Sequence, residues 1–208
     1  MESNKRKKRE YLVHREEILR AAERVFAANG FFHTTMSDIA HEAEFGTGTL
    51  YKFFQSKEDL YFTLINEKVE EINHLVKAEL SQKNSPREKI KKVLQLQFEF
   101  IEHNRDFFRI YISERNRFEW TVKDDLGKGM HDKMVAYIKI LSQVMEEGVK
   151  GGEFKPMNPM DLAHALVGII HSYVFEWLIS PHPYPLISKM DTVLEIFLDG
   201  AQRMERRR

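Results

Sequence analysis

The stretch Thr34 to Tyr61, TTMSDIAHEAEFGTGTLYKFFQSKEDLY, decides how this chain of 208 residues is read. It predicts two short helices joined by a tight turn, followed at once by the start of a third. Thr35 stands where a helix cap is needed, and Asp38, three residues on, completes a capping box. Ile39, Ala40 and Ala43 give that first helix a small apolar face. Phe45 and Gly46 make the turn. Thr47 to Phe54 then forms a second helix, too short to be stable without packing, and Ser56 with Asp59 opens the next helix with a second capping box. A helix-turn-helix of this kind lays its second helix in the DNA major groove.

Helical periodicity continues on both sides. Arg9 to Asn29 carries Ile18, Ala21, Ala22, Val25 and Phe26 at helical spacing, and Gly30 stops it. A long helix from Lys57 to about Leu80 carries Leu60, Leu64, Ile65, Val69, Ile72 and Val76. Ser85-Pro86 caps the next, apolar at Ile90, Val93, Leu94, Phe98 and Ile101. A short aromatic-rich helix at Asp106 to Ile112 and a loop at Ser113 to Thr121 precede a helix from Val122 to about Lys150. Two closing helices, Pro159 to Ser180 and Ile187 to Arg206, flank a proline-rich connection. The fold class expected is all-α: an N-terminal three-helix helix-turn-helix domain over residues 1–58, and a larger helical domain over 59–208.

Composition fits a DNA-binding protein of the cytoplasm. The chain has no cysteine, which excludes disulfides and thiolate metal sites. Its 32 Lys and Arg balance 32 Asp and Glu, but distribution matters more than the sum for a nucleic-acid binder. Lys5-Arg6-Lys7-Lys8-Arg9 concentrates positive charge beside the helix-turn-helix, either as a solvated tail or as an arm that reaches phosphates. Glu10 to Glu17 follows that run where a secretion signal needs an apolar segment. Leu162 to Ile179 is long and apolar, yet His164, His171, Ser172 and Glu176 interrupt it, so a buried helix is expected and no membrane partner.

On the predicted recognition helix, Tyr51 and Lys52 project opposite Leu50 and Phe54, which belong to the core. Tyr51 suits a phosphate or sugar, and Lys52 a phosphate or guanine edge. Thr47 and Thr49 at the helix start favour phosphate, Gly48 permits close approach, and Lys57 sits in the first turn of the next helix.

The segment resembles the DNA-binding domain of the TetR (tetracycline repressor) family of bacterial transcription regulators. The resemblance covers roughly the first sixty residues. It rests on Ala22-Glu23-Arg24-Val25-Phe26, Asn29-Gly30-Phe31, Thr34 to Ala40, Gly48-Thr49-Leu50-Tyr51-Lys52-Phe53-Phe54 and Ser56-Lys57-Glu58-Asp59-Leu60. It implies that Thr35, Met36 and Ser37 also lie at the DNA. Two positions depart from the family pattern: Glu44 stands where a turn glycine is frequent, and Gly46 where a capping serine is usual. Gly46 is kept among the DNA-facing positions, as is Phe53, which either touches thymine methyls or packs.

The last two helices are too apolar for one monomer surface. The first presents Leu162, Leu166, Ile169, Ile170, Tyr173 and Trp177 on one flank, and His164, Gly168, His171 and Phe175 on another. The resemblance implies a four-helix homodimer interface, assigned to Gly168, Met190, Val193, Leu194, Phe197, Ala201 and Met204. Polar residues within apolar stripes suggest an effector pocket. It is assigned to Leu94, Gln97, Phe98, Ile101, Phe107, Phe108, Tyr111, Met130, Met134, Tyr137, Leu141, His171 and Phe175, for a hydrophobic or amphipathic ligand. A filled core explains the same stripes.

No catalytic motif, cofactor or metal site is expected. His164 and His171 stand about 10.5 Å apart along the helix axis, too far for one zinc, and each is read as a core histidine. The expected function is a DNA-binding transcriptional regulator, a repressor released from a near-palindromic operator by a small molecule. The alternatives are a helical small-molecule-binding or scaffold protein, or an enzyme with an unrecognised buried site.

Overall fold

The computed structural model describes residues 2–109, 125–180 and 184–201. Its regular elements are α1 (Glu2–Asn29), α2 (Met36–Glu42), α3 (Thr47–Leu50), α4 (Lys57–Leu80), α5 (Pro86–His103), α6 (105–109), α7 (Asp125–Lys150), α8 (Pro159–Ile179), a 3-10 turn Leu186–Lys189 and α9 (Met190–Ala201). No strand occurs among the described residues, as an all-α fold requires. The chain divides into two compact units, Met1–Lys68 with Asp106–Thr121 and Val69–Arg105 with Val122–Arg208; the division falls within α4.

In the first unit, α1 packs on α2, and α2 on α3. Ile18, Ala21, Ala22, Phe26, Ile39, Ala40, Leu50, Phe54 and Leu60 are buried, as their spacing requires. Tyr61 of α4 closes this core, its ring 5.4 Å from Phe26 and 4.9 Å from Phe31. Burying each of the Ile, Leu and Phe side chains contributes about 1.5–3 kcal/mol. Gly30 ends α1 at a φ of 76°, and its N–H donates to the Phe26 carbonyl at 2.8 Å.

Two elements of the first unit differ from the sequence expectation. Helix α1 starts at Glu2 and not near Arg9, so the basic run Lys5 to Arg9 is helical and exposed. Helix α3 spans only four residues. Beyond it the chain tightens into i→i+3 bonds, with Lys52 N–H donating to Thr49 and Phe53 N–H to Leu50, at 3.0 and 2.9 Å.

In the second unit, α5 packs on α7 and α9, and α8 lies along α7 and α9. Ile90, Val93, Leu94, Phe98 and Ile101 of α5 face Tyr137, Ile138, Leu141, Val144 and Met145 of α7 within one buried core. Lys89 ties the two helices by donating to Glu147 at 2.7 Å. Ser85 and Pro86 open α5 as the sequence predicts, the Ser85 hydroxyl accepting from Glu88 N–H. Helix α8 is long and apolar enough to cross a membrane. Its Leu162, Leu166, Ile170, Val174 and Trp177 are instead buried in the fold.

Candidate nucleic-acid interface and effector site

Both halves of the capping box at the start of α2 are present: the Thr35 side chain accepts from Asp38 N–H, and Asp38 accepts from Thr35 N–H at 2.8 Å. Hydrogen bonds from the Thr35 hydroxyl and amide hold the Asp38 carboxyl below its ordinary pKa. Helix α2 closes through Glu44 at a φ of 58°, with Phe45 N–H donating to Ala40 and Glu44 N–H to His41. These two bonds form a Schellman motif, whose left-handed residue is ordinarily glycine. Gly46 caps α3 through its carbonyl, which accepts from Thr49 N–H at 2.7 Å.

Leu50 and Phe54 anchor the inner side of the recognition segment. Tyr51, 54% exposed, and Lys52 stand outward, as do Thr35, Ser37 and Gly48, while Thr47 and Thr49 are half-buried. Nothing lies within 4 Å of the position a Gly48 Cβ would take, so its face is open to a backbone approach.

Three of the expected DNA-facing residues are placed otherwise. Met36 is buried in the α2 core, because it falls on the same helical face as Ile39 and Ala40. Phe53 stacks on Tyr11 of α1 with centroids 4.7 Å apart, so its ring packs. The Lys57 ammonium donates to the Phe31 and Thr34 carbonyls, both at 2.8 Å, and sits 4.3 Å above the Phe31 ring. Lys57 latches the start of α4 to the α1–α2 corner and is not a free phosphate donor.

In the second unit, Gln97 of α5 donates through its Nε2 to the Tyr137 hydroxyl of α7. The opposite end of the amide, Gln97 Oε1, is buried with no partner among the described residues. Burial pushes the Tyr137 phenol far above its ordinary pKa, although the Gln97 hydrogen bond works against it. Tyr137 is therefore neutral throughout the physiological range. Leu94, Phe98, Ile101 and Leu141 supply apolar surroundings, and Met134 is half-buried. Arg105, absent from the expected pocket residues, lies 5.2 Å from the Trp177 ring, with its Nε buried and unpartnered among the described residues. Its position just past the end of α5, facing an aromatic of α8, has no sequence signal beyond the charge itself.

Phe107 is buried and Phe108 half-buried, their rings edge-to-face at 5.0 Å within the first unit. Tyr111 and the Met130 side chain lie outside the described residues. His171 and Phe175 do not belong with Gln97 and Tyr137, because both face outward from α8. His164 is exposed too, so neither histidine is a core residue.

Residues 18–64 match the model for bacterial regulatory proteins of the tetR family, and residues 65–200 that for the YsiA-like protein C-terminal region. The chain belongs to the TetR family. It is a DNA-binding transcriptional regulator. The fatty acid metabolism regulator protein of Bacillus subtilis is 27% identical over 187 residues, covering 88% of this chain and 93% of that protein. The transcriptional repressor KstR2 of Mycolicibacterium smegmatis is 29% identical over 153 residues, 74% of this chain and 73% of its own. The crystal structure of FadR from Bacillus subtilis in complex with stearoyl-CoA matches with a TM-score of 0.74 at 25% identity, over 89% of this chain and 98% of that one.

Within this TetR-family chain, α9 turns the opposite way from the interface expected of it. Val193, Leu194 and Phe197 are buried inside the subunit, Met190 is half-buried, and the Ala201 side chain and Met204 lie outside the described residues. The open flank of α9 carries Thr192, Glu195, Ile196, Asp199 and Gly200. That of α8 carries His164, Ala165, Gly168, His171, Ser172, Phe175 and Ile179. Ile179, Ile196 and Phe175 are 63%, 49% and 48% exposed.

Glu44→Gly should stabilise the protein by up to about 1 kcal/mol, since the left-handed conformation costs a non-glycine residue more than glycine loses in chain entropy. It also removes a negative charge from the turn, so DNA affinity at low salt should rise with the melting temperature. A lower melting temperature would show that the Glu44 side chain, and not its backbone, decides the turn.

Proposed function

We propose that this protein is a homodimeric repressor of the bacterial cytoplasm, without catalytic turnover, released from a near-palindromic operator by an amphipathic acyl compound. The outward pair Tyr51 and Lys52, fixed by the buried Leu50 and Phe54, carries the DNA part of the reading. Thr35, Ser37, Thr47, Gly48 and Thr49 complete a surface rich in hydroxyls and backbone amides suited to phosphate. The open flanks of α8 and α9 supply a two-helix face for a second copy, giving half-sites about 34–36 Å apart or a multiple of that spacing.

The unsatisfied Gln97 Oε1 inside an apolar core supports the effector part. A buried acceptor without a donor costs about 1–3 kcal/mol, and a ligand N–H or O–H removes that cost. The likeness to a fatty acid metabolism regulator, and to a structure holding stearoyl-CoA, supports a fatty acyl-CoA as the compound. Release works as a population shift: the ligand binds the DNA-incompetent arrangement more tightly, and α4 carries the change.

Tyr51→Phe and Lys52→Ala should each weaken binding to a duplex selected by the wild-type protein, on the order of tenfold, and leave melting unchanged. Stearoyl-CoA should raise the melting temperature and lower DNA affinity together. Full DNA affinity in both variants removes these residues from the interface. A wild-type protein that selects no duplex from a random pool overturns the regulator's operator reading in favour of a scaffold.

A further inference from the structure

The body of the DNA-binding unit is acidic. Residues 10–68 contain six Lys and Arg against ten Asp and Glu. The cations there are already engaged. Arg15 pairs with Glu67 at 2.5 Å, Arg20 with Glu16 at 2.5 Å and Arg24 with Glu42 at 2.6 Å. Lys57 is committed to backbone carbonyls, and Lys68 has a partner of its own. Among the described residues this leaves Lys52 as the single unpaired cation of that stretch. A duplex carries one negative charge per ~1.7 Å of axis, and a surface with this balance repels it.

The compensating charge sits on the first turns of α1. Lys5, Lys7, Lys8 and Arg9 are exposed with no partner among the described residues; Arg6 pairs with Glu10 at 2.9 Å. Their helix is fixed against the recognition segment by three contacts. Tyr11 stacks on Phe53, His14 meets the edge of Phe45 at 5.2 Å, and the Arg15 guanidinium lies 5.7 Å from the Phe54 ring centroid. Positions 11, 14 and 15 share one helical face. Lys7 and Lys8, four and three residues before Tyr11, continue that face about 5 Å further along the axis.

We propose that the N-terminal turns of α1, Lys7 and Lys8 foremost, are the main phosphate anchor of this protein, gripping the DNA backbone beside the bases read by Tyr51 and Lys52. The proposal rests on the DNA-binding reading and adds a partition to it. The recognition segment selects sequence, and a helix held to it by the Tyr11–Phe53 stack supplies most of the counterion release.

The test compares wild type with Lys7→Gln/Lys8→Gln on a duplex selected by the wild-type protein and on a mixed-sequence duplex, from about 0.05 to 0.5 M salt. The slope of log affinity against log salt should fall by about 2 per subunit. Affinity near 0.1 M should drop on the order of 10²-fold for both duplexes alike, with the preference between them retained and melting unchanged. Tyr11→Ala should weaken both complexes through the lost alignment without removing a charge. An unchanged slope in the double variant, while the wild type still selects its duplex, overturns the anchor but leaves the DNA reading standing. Loss of binding to phosphatidylglycerol vesicles with full DNA affinity retained also overturns it, and assigns the run, with the exposed Leu12 and Val13, to a membrane surface.

Discussion

Phe175→Glu combined with Ile196→Glu should give a folded monomer whose operator affinity is reduced on the order of 10²–10⁴-fold. Both side chains are about half exposed in the subunit, so the substitutions leave its core intact. In the proposed two-fold dimer every change occurs twice, and four carboxylates would meet on the shared face. Each unpaired buried charge costs several kcal/mol, more than an interface of two helices per subunit can absorb. Losing the second subunit removes the effective concentration that a bivalent contact provides, which sets the size of the affinity loss. Phe197→Glu should behave differently. At 3% exposure that residue lies inside the subunit, and a carboxylate there should unfold α9. Sedimentation velocity separates the outcomes: an unchanged dimer for the double variant would move the interface away from these flanks.

Gln97→Leu with Tyr137→Phe should abolish the response to acyl-CoA while keeping, or slightly raising, the melting temperature. Removing one member of a buried polar pair strands the other, but replacing both by apolar groups of similar shape is close to neutral. Here the pair already leaves one amide oxygen unsatisfied, so its removal ends an existing cost. The wild type should gain about 2.7 kcal/mol of apparent stability at a hundredfold excess of ligand over its dissociation constant, and the double variant little of it. DNA affinity without ligand should be the same for both. A double variant that still melts later with stearoyl-CoA and still leaves the DNA would show that the ligand sits elsewhere.

The parts of the fold legible in the sequence are those set by local chemistry. Thr35 with Asp38, Ser85 with Pro86, and Gly30 after Phe26 act within a few residues, and each does what its position predicts. Periodicity also found the buried faces, from Ile39 and Leu50 in the first unit to Leu94 and Leu141 in the second. It failed where a helix has two usable flanks. The stripe through Val193, Leu194 and Phe197 marks an apolar side of α9, but nothing in a 3.6-residue period says whether that side meets its own subunit or another. The same ambiguity attached His171 and Phe175 to a pocket, though they stand on the open side of α8. The role of Lys57 is hidden for a different reason: its partners, the Phe31 and Thr34 carbonyls, lie more than twenty residues away and have no side-chain signature. Glu44 departs from a frequent glycine, and its left-handed backbone explains why glycine is favoured there.

The latch made by Lys57 fixes the gearing of the proposed switch. Helix α4 has 24 residues, a rod of about 36 Å at 1.5 Å per residue. Its first turn is fastened to the corner between α1 and α2, so a tilt of that turn would pull on the corner from which α2 and the recognition segment follow. A straight helix of that length, tilted by about 5°, would displace its far end by about 3 Å, close to the rise of one base pair. On the proposed reading, an effector would have to tilt this helix only slightly to take the recognition segment out of step with the DNA helix. Slack at the latch, and not a larger movement at the ligand, is what would disable such a lever.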